Sequence, residues 1–335
     1  MFRKFFTLAA VAGTLMSAAA FTTATADDKT LNFGIISTES SANLKQNWEP
    51  FLKAMSAKTG LDVKGFYASD YAGVIEGMRF KKVDIAWYGN KSAMEAVDRS
   101  GGEVFAQTVD NEGNPGYWSL ILVHKDSPFA TLKDILKCDK SLDFGIGDPN
   151  STSGFLVPTT YVFAANNVDP KACFKTVRNA NHEANAMAVA NKQVDAATNN
   201  TENLRRIEKT QPEAFKNLKV IWRSPLIPSD PLVWRADLDE MTKAKLYRFF
   251  MSYGRMGTPA EVSEARKVMA GLQWAPFKPS SNAQLYPIRQ LEINKQILKI
   301  QADAKMPEDE KKAKIAELRK KNDEVARLME QAPSM

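Results

Sequence analysis

The chain has 335 residues, of which 25% are charged and 44% hydrophobic, and it carries 17 glycines, 16 prolines, two cysteines and a formal net charge of +6. This ordinary globular composition excludes a collagen, a disordered tail, a disulfide-stapled miniprotein and a polytopic membrane protein. At roughly 150 residues per domain, the length predicts two domains, each large enough to bury its own core.

Residues 1–26 have the pattern of a secretory signal peptide. Arg3 and Lys4 precede an uncharged stretch that ends in Ala-Thr-Ala at 24–26, which is typical of a cleavage site. The alternative is an N-terminal membrane anchor, but the stretch is rich in alanine and threonine and is not followed by a cluster of stop-transfer charges. No cysteine stands directly after it, which disfavours a lipid anchor. We therefore expect an exported protein.

The stretch up to residue 124 alternates between predicted strands and helices. In chain order, the predicted elements are a strand at 31–35, a helix around 44–55, a strand at 61–67, a helix at 71–80, a strand at 83–88, a helix at 91–99, and strands at 104–109 and 118–124. Apolar residues alternate in the strands and recur at helical spacing in the helices. This order predicts an α/β fold with a largely parallel sheet.

The pattern then restarts, which predicts a second α/β lobe. Its predicted elements are a helix at 132–137, a strand at 142–146, a helix at 154–166, a strand at 174–178, a helix at 183–191 and a strand at 195–198. Extended segments at 218–223 and 231–235 flank a Pro-rich turn. One crossing near 118–124 and another near 221–234 would form a hinge of two strands.

The tail from residue 285 is predicted to be helical and highly charged, with a break at Met306-Pro307. Beyond the break, a narrow apolar stripe is formed by Ile315, Leu318, Val325, Leu328 and Met329. Such a stripe is typical of a solvated helix that packs on the body of the protein. A dimerisation helix is the alternative.

The two cysteines would meet an oxidising compartment in an exported protein. Cys138 and Cys173 each lie just before a predicted strand, and parallel neighbouring strands would start side by side. We expect one disulfide between them, and the alternative is a pair of buried free thiols.

Motifs for enzymatic chemistry are absent from the sequence. There is no P-loop, no metalloprotease motif and no nucleophile elbow, and the glycines at 145 and 147 lack the third glycine of a dinucleotide fingerprint. His124 and His182 are the only histidines, so a hydrolytic triad would have to use one of them.

The stretch at 147–155, Gly-Asp-Pro-Asn-Ser-Thr-Ser-Gly-Phe, is the most informative local pattern. It follows a predicted strand and opens a predicted helix, so Ser151, Thr152 and Ser153 are candidate capping residues. The first N–H groups of a helix have no internal partner, and with three hydroxyls beside them they can surround a tetrahedral oxyanion. Plain helix capping is the alternative, although a single hydroxyl suffices for that.

Several longer runs carry a family resemblance. They are LNFGIISTES (31–40), DYAGVIEG (70–77), VDIAWYGN (83–90), GDPNSTSGFLVP (147–158), ANKQVDAATNNTEN (190–203) and SPLIPSDPLVW (224–234). On these runs the mature chain resembles the phosphonate-binding periplasmic proteins of ABC transporters along nearly its whole length. The resemblance implies a two-lobed type II α/β fold with a ligand cleft between the lobes and a helical C-terminal tail at about 285–330. One lobe would comprise 27–120 and 233–335, and the other 121–232.

The resemblance also implies the binding residues. The family holds its phosphonate group at the helix N-terminus that matches Ser151, Thr152 and Ser153. The other positions that match residues of the family's binding cleft are Tyr71 and His182 for the phosphonate oxygens, Tyr117 and, more weakly, Tyr88 as cleft tyrosines, and Glu202 and Asp230 for a ligand amino group.

Each of these positions has a plainer interpretation. Glu202 could be a first-turn helix acid, Asp230 a turn residue and His182 a capping residue, while Tyr71 could belong to the core. Two carboxylates opposite an anion site nevertheless suit a zwitterion, which makes 2-aminoethylphosphonate the leading ligand.

The resemblance implies a periplasmic solute-binding component of a phosphonate importer, which delivers its ligand to an ABC permease. It implies no enzymatic activity, no cofactor, no metal and no nucleic-acid partner, and a homodimer through the C-terminal helices is an open alternative to a monomer. A phosphate-ester- or phosphite-binding protein is the alternative ligand class. A phosphonate or phosphate-ester hydrolase is the alternative from a different class.

Overall fold

The computed structural model describes residue 1 and residues 30–332, so the predicted signal peptide lies, Met1 apart, outside the described residues. The strands are β1 (Leu31–Ile35), β2 (Val63–Tyr67), β3 (Ile85–Trp87), β4 (Gly102–Asp110), β5 (Gly116–Tyr117), β6 (Ser119–His124), β7 (Asp143–Ile146), β8 (Thr176–Asn179), β9 (Ala196–Asn200), β10 (Leu218–Arg223), β11 (Ile227–Pro228), β12 (Pro231–Arg235) and β13 (Trp274–Pro279).

The helices alternate with these strands over most of the chain. They are α1 (Ser41–Thr59), α2 (Tyr71–Arg79), α3 (Asn90–Arg99), α4 (Leu132–Ile135), α5 (Pro170–Cys173), α6 (His182–Ala190), α7 (Thr201–Thr210), α8 (Pro212–Phe215), α9 (Glu240–Ser252), α10 (Pro259–Gly271), α11 (Tyr286–Ala302) and α12 (Glu308–Gln331). Shorter turns of π-helix lie at Thr152–Leu156 and Thr159–Phe163, and turns of 3₁₀-helix at Ala164–Asn166 and Asn282–Leu285.

Within residues 30–332 the strands form two large sheets and a small ribbon. The larger sheet has the order β13-β4-β12-β3-β1-β2, the second has the order β10-β6-β9-β7-β8, and β11 pairs with β5. In each large sheet the strands joined through helices run parallel, as β1 does with β2 and β3, and β7 does with β8 and β9. The expectation of largely parallel sheets is wrong, because β12 and β6, which enter from the crossings, pair antiparallel with their neighbours.

Each sheet has its own aromatic core. Trp48 of α1 packs at 5.4 Å from Phe33 of β1 and, edge-on, at 5.1 Å from Trp274 of β13. In the second sheet Phe144 stacks at 4.6 Å on Phe174. Aromatic pairs of this kind add specific geometry to the burial of large apolar surfaces.

The chain passes between the two large sheets at β5 and β11. These strands pair antiparallel, with Ile227 opposite Tyr117. They approach so closely at Gly116 that an added Cβ would lie 2.1 Å from the carbonyl oxygen of Ile227, so glycine is required there. The predicted lobe boundaries at 120/121 and 232/233 would cut through β6 and β12, and we propose that the lobes instead meet at this β5–β11 ribbon.

Cys138 and Cys173 form a disulfide in the structure. They lie near the starts of β7 and β8, which pair in parallel with Asp143 opposite Thr176. The bridge therefore ties the edge of the second sheet together, which is the placement that the sequence argument favoured.

The C-terminal tail is helical and breaks before α12, at the predicted Met306-Pro307 step. The residues of α12 are at best half-buried, and Leu328 and Met329 of the apolar stripe are 40% and 37% exposed. In residues 30–332, no helix combines the length and the apolar character that crossing a bilayer requires.

Two stretches differ from the sequence-based expectations. The helix expected at 154–166 consists largely of π- and 3₁₀-helical turns, which begin at Thr152. The stretch between 236 and 284, to which no elements were assigned, contains α9, α10 and β13. In β13 the pairing with β4 shifts register between Ala275 and Lys278, which blurs the alternation that would have indicated a strand.

Candidate ligand-binding site

A small polar cavity of about 40 Å³ lies between the two sheets. Eight of the nine residues predicted to bind ligand line it, namely Tyr71, Tyr117, Ser151, Thr152, Ser153, His182, Glu202 and Asp230. The structure thus brings together residues that are separated by up to 159 positions between Tyr71 and Asp230 in the chain.

The ninth predicted residue, Tyr88, does not line this cavity. Its side chain is buried in the core of the larger sheet, and its hydroxyl donates to the carbonyl oxygen of Val74 at 3.0 Å. Successive residues of an extended segment point to opposite sides, so Trp87 lines the cavity while Tyr88 faces the core.

The loop after β7 sets the position of the three adjacent hydroxyl residues. Ser151 caps the following helical turn, since its Oγ accepts a hydrogen bond from Gly154 N at 3.0 Å. The loop closes tightly, because a Cβ on Gly147 would lie 2.5 Å from the Cα of Gly154. Ser151, Thr152 and Ser153 are at most 2% exposed.

Further polar groups converge on these hydroxyls. Asn200, at the end of β9, donates from Nδ2 to Ser153 Oγ at 3.0 Å. Nε2 of His182, at the start of α6, lies 3.4 Å from Ser151 Oγ and 3.5 Å from Ser153 Oγ. We call Ser151, Thr152, Ser153, His182 and Asn200 the hydroxyl cluster.

Thr152 also connects the two sheets. Its Oγ1 accepts a hydrogen bond from the backbone N of Lys91, in the first turn of α3, at 2.8 Å. Tyr71 makes a second connection, because its backbone N donates to Asp148 Oδ2 at 3.2 Å. The loop at 147–155 is thus held between elements of both sheets.

The titratable members of this part of the site are neutral. Burial lowers the pKa of His182 to about 4, so the ring is uncharged near pH 7. Burial raises the pKa of the Tyr71 hydroxyl well above its usual value, and a hydrogen bond from Ser151 only partly offsets that. The hydroxyl cluster therefore offers dipoles and N–H and O–H groups rather than a fixed positive charge.

A pair of carboxylates lies in the same cavity. Asp230, which precedes β12, is 6% exposed, and its Oδ1 accepts from the Tyr117 hydroxyl at 2.8 Å. Glu202, in the first turn of α7, keeps some accessible surface.

The environment of both acids disfavours negative charge. Burial raises the pKa of Glu202 to about 7, while Arg206 and Arg205 act in the opposite direction. Burial also raises the pKa of Asp230 well above its usual value, and the neighbouring charge of Glu202 adds to that rise. Two acids in this position indicate a site for a cation, because a cation would pair their charges and favour ionisation.

Sequence reasoning missed several cavity residues. They are Ile36, Thr38, Trp48, Gly89, Asn200, Asn203, Arg206, Leu272, Gln273 and Trp274. Asn200 and Asn203 belong to a polar run at the end of a buried strand. Because ligands of α/β proteins bind at the carboxyl ends of the strands, this run could have indicated binding residues. Gln273 precedes β13 and Trp274 begins it, both in the stretch between 236 and 284 to which no elements were assigned, and the sequence offers no comparable signal there.

Some of the missed residues carry buried polar atoms without a partner. Among the described residues, neither side-chain amide atom of Asn203, nor Oε1 of Gln273, nor Oγ1 of Thr38 makes a hydrogen bond. Buried polar groups are normally paired, so these atoms indicate that the cavity receives polar ligand atoms or water. We call Glu202, Asp230, Asn203 and Gln273 the acid cluster.

Over residues 30–332, groups of three or more His, Cys, Asp or Glu side chains do not converge in a way that could hold a metal ion. Two α/β sheets joined by two crossings, with a small polar cavity between them, define the class of type II solute-binding proteins.

The particular family follows from comparison with known proteins. A family model described as the periplasmic substrate-binding protein of phosphonate ABC transporters matches residues 33–285. The chain is 58% identical over 301 residues to the phosphonates-binding periplasmic protein of Escherichia coli K12. The matched region covers 90% of this chain and 87% of that protein. The chain therefore belongs to the family of phosphonate-binding periplasmic proteins, whose members are transport components rather than enzymes.

Solved structures agree with this assignment. The chain is 58% identical to a binding-protein component of an ABC phosphonate transporter from Pseudomonas aeruginosa, with a TM-score of 0.87 over 90% of this chain and 98% of that one. A protein from Prochlorococcus marinus, solved with methylphosphonate, has 23% identity and a TM-score of 0.69 over 80% of this chain and all of that one, and this likeness concerns the fold alone.

Proposed function

We propose that this protein is the periplasmic binding component of a phosphonate importer and that its preferred ligand is 2-aminoethylphosphonate. The observation that carries the proposal is the presence of two carboxylates, the buried Asp230 and the partly buried Glu202, in the same small cavity as the hydroxyl cluster. The ligand is a zwitterion whose two charges match these two sets of groups.

The hydroxyl cluster would bind the phosphonate group. Its hydroxyls, the Asn200 amide and the first N–H groups after Ser151 can donate to tetrahedrally arranged oxygens. Helix N-termini favour anions through their dipole as well as through these free donors. Neutral His182 could donate one ring N–H, depending on its tautomer.

The acid cluster would bind the amino group. An ammonium donates three hydrogen bonds, and Glu202, Asp230 and the unpaired oxygens of Asn203 and Gln273 are all acceptors. Its positive charge would offset the cost of burying two carboxylates. The hydrogen bond from Tyr117 occupies Oδ1 of Asp230 and leaves Oδ2 for the ligand.

Phosphite and phosphate are the alternative ligands. A relative from Mycolicibacterium smegmatis with 33% identity over 62% of this chain and 66% of its own length is named a phosphate-import protein. These bare anions bring no cation to Glu202 and Asp230, so the two acids would be left unpaired or protonated. The same argument applies to simple phosphate esters, and the acid cluster therefore favours an amino-bearing phosphonate.

The remaining parts of the proposal concern location and partners. The signal sequence at 1–26 would direct export and be cleaved, and the liganded protein would dock on an ABC permease in the inner membrane. The partly exposed apolar stripe of α12, which includes Leu328 and Met329, is a candidate surface for a homodimer, with a monomer as the alternative.

A calorimetric panel tests the ligand assignment. The purified mature protein is titrated with 2-aminoethylphosphonate, ethylphosphonate, methylphosphonate, phosphate and phosphite. We expect 2-aminoethylphosphonate to bind most tightly, ahead of ethylphosphonate, which matches it except for the amine. Tighter binding of phosphite or phosphate than of any phosphonate would refute the assignment.

A further inference from the structure

Helix α7 carries two arginines whose side chains reach from the second sheet to residues of the larger one. Arg206 pairs with Glu39, which lies between β1 and α1. Arg205 pairs with Asp110, the last residue of β4, and its NH1 group lies 2.7 Å from Glu112 Oε2. Both arginines therefore reach carboxylates of the larger sheet from a helix of the smaller one.

These pairs are shielded from solvent. The side chains of Arg206 and Glu39 are 17% and 5% exposed, and those of Arg205 and Asp110 are 18% and 4% exposed. Ion pairs at this level of burial differ from surface pairs, because removing one partner leaves the other charge without water or a counterion.

The same helix carries Glu202, a proposed binding residue, into the cavity. Glu202 lies one turn before Arg205 and Arg206, and its backbone oxygen accepts from Gln273 Nε2 at 3.1 Å. Gln273 precedes β13 of the larger sheet, so it is a third contact between α7 and that sheet. Arg206 itself lines the cavity.

We propose that Arg205 and Arg206 form a latch that holds the cleft closed over the bound ligand. The inference rests on the proposed function, in that ligand binding brings the two lobes together at the β5–β11 ribbon. Opening about that ribbon would separate α7 from Glu39 and Asp110 and return all four charges to water. The latch therefore acts on the closed form and sets how long the ligand stays bound.

This role makes a distinct prediction about ligand dependence. A latch stabilises the closed form whatever the ligand carries, so its loss should weaken the binding of ethylphosphonate as well as that of 2-aminoethylphosphonate, whose binding also depends on the effect of both arginines on the pKa of Glu202. A role confined to the charge of Glu202 would instead weaken only the amino-bearing ligand. The two roles are thus separable with one pair of ligands.

The test compares Arg205→Met and Arg206→Met with wild type by stopped-flow fluorescence. Trp48, Trp87 and Trp274 line the cavity and report binding. We expect each variant to raise the dissociation rate of both phosphonates by about tenfold or more, with the association rate changed little, since breaking a buried charge pair acts mainly on dissociation.

A matched control removes an arginine whose ion pairs stay within one lobe. Arg99 pairs with Glu76 at 2.6 Å and Glu95 at 3.0 Å, all on α2 and α3. Arg99→Met changes the net charge equally, and we expect wild-type kinetics. The exchanged pair Glu39→Arg with Arg206→Glu should recover much of the loss, which a merely structural role of Arg206 would not allow.

Unchanged dissociation rates in both variants would refute the latch, as would an effect restricted to 2-aminoethylphosphonate. Failure of wild type to bind either phosphonate would instead refute the proposed function, and the latch with it. The two failures are distinguishable because the second is seen before any variant is measured.

Discussion

The hydroxyl cluster and the acid cluster occupy one cavity, yet they are built from different kinds of group. The hydroxyl cluster is neutral, and its members already hydrogen bond to one another, as Asn200 does to Ser153 at 3.0 Å. The acid cluster holds two carboxylates whose pKa values are raised by burial, beside amide atoms that have no partner in the described part of the chain. The hydroxyl cluster is thus largely paired within itself, apart from Nδ1 of His182, whereas the acid cluster has several unpaired side-chain atoms to offer a ligand.

On the proposed function, this difference would divide affinity and selectivity between separate groups. Preorganised dipoles bind an oxyanion without the cost of rearranging, so the hydroxyl cluster should supply most of the affinity for any phosphonate. The acid cluster disfavours ligands without a cation, since closing over them leaves charge unpaired. Such selectivity comes as much from unfavourable interactions with the wrong ligand as from favourable interactions with the right one.

The largest expected effect follows from breaking the hydroxyl cluster. The double variant Ser151→Ala, Ser153→Ala removes two proposed hydroxyl partners of the anion, each expected to contribute roughly 1.5–3 kcal/mol. We expect the Kd of every phosphonate to rise by about a hundredfold in calorimetry.

The control for this variant separates binding from capping. Ser281 also caps a helical turn, where its Oγ accepts from Ala283 N at 3.3 Å, but it lies outside the cavity lining. Ser281→Ala should leave the Kd unchanged. An unaltered Kd in the Ser151, Ser153 variant would remove the anion site from this loop.

The next effect concerns selectivity and tests the acid cluster. An unpaired buried charge costs a few kcal/mol, so wild type should prefer 2-aminoethylphosphonate over ethylphosphonate by about 30-fold, or roughly 2 kcal/mol. Glu202→Gln should reduce that ratio while leaving the Kd of ethylphosphonate equal or lower.

Glu208→Gln is the matched control, because Glu208 lies on the same helix but is exposed. It should preserve the wild-type ratio. Equal affinity of wild type for the two ligands would return Glu202 and Asp230 to their plainer interpretations as a helix-start acid and a turn aspartate.

The ratio between the Kd values of ethylphosphonate and 2-aminoethylphosphonate should also depend on pH. With a pKa of about 7 in the ligand-free cavity, Glu202 is mostly protonated at pH 6 and mostly ionised at pH 8. An amine with a pKa near 10 keeps its charge over this range, so the ammonium must displace a proton from Glu202 at low pH. The preference for 2-aminoethylphosphonate should therefore fall as the pH drops from 8 to 6, by up to about tenfold.

Taking the ratio of the two ligands largely cancels the ionisation of the phosphonate group, which they share. His182, with a pKa of about 4, stays neutral throughout and does not contribute. In Glu202→Gln the pH dependence of the ratio should be smaller, and what remains would belong to Asp230, whose pKa burial also raises. A ratio in wild type that rises toward pH 6 would contradict the raised pKa of Glu202.

The sequence could predict the three adjacent hydroxyl residues of the hydroxyl cluster from local physics, but not Asn200, and it gave His182 only through the family resemblance. Ser151, Thr152 and Ser153 stand between a strand and a helix, and the α/β pattern alone places such a loop at a sheet edge where ligands bind. Their number exceeds what capping requires. The structure differs only in the helix that follows, where π-helical turns replace a regular α-helix.

The acid cluster could not be assembled from local pattern. Asp230 stands in a turn and Glu202 in a first helical turn, and each is ordinary in its own segment. Their convergence depends on the β5–β11 crossing. Gln273, the further member of the cluster beside Asn203, lies in a stretch without clear hydrophobic periodicity. The sequence also does not say which of the neighbouring aromatic residues Trp87 and Tyr88 faces the cavity, and in the structure it is Trp87.

The smallest expected effect tests the separation of the two clusters with two tyrosines, Tyr117 in the cavity and Tyr88 in the core. The Tyr117 hydroxyl donates to Asp230 Oδ1 at 2.8 Å, and that bond helps to keep the carboxylate charged for an ammonium. Tyr117→Phe should weaken 2-aminoethylphosphonate binding by about fivefold, because one hydrogen bond contributes roughly 1 kcal/mol net. Ethylphosphonate should be affected less, since it does not need the charge on Asp230.

Tyr88→Phe removes a hydroxyl that donates to Val74 in the core, so it should lower the melting temperature slightly and leave both Kd values unchanged. If Tyr117→Phe weakened both ligands equally, Tyr117 would act on the phosphonate instead, and the division of the cavity into two clusters would have to place it with the hydroxyls.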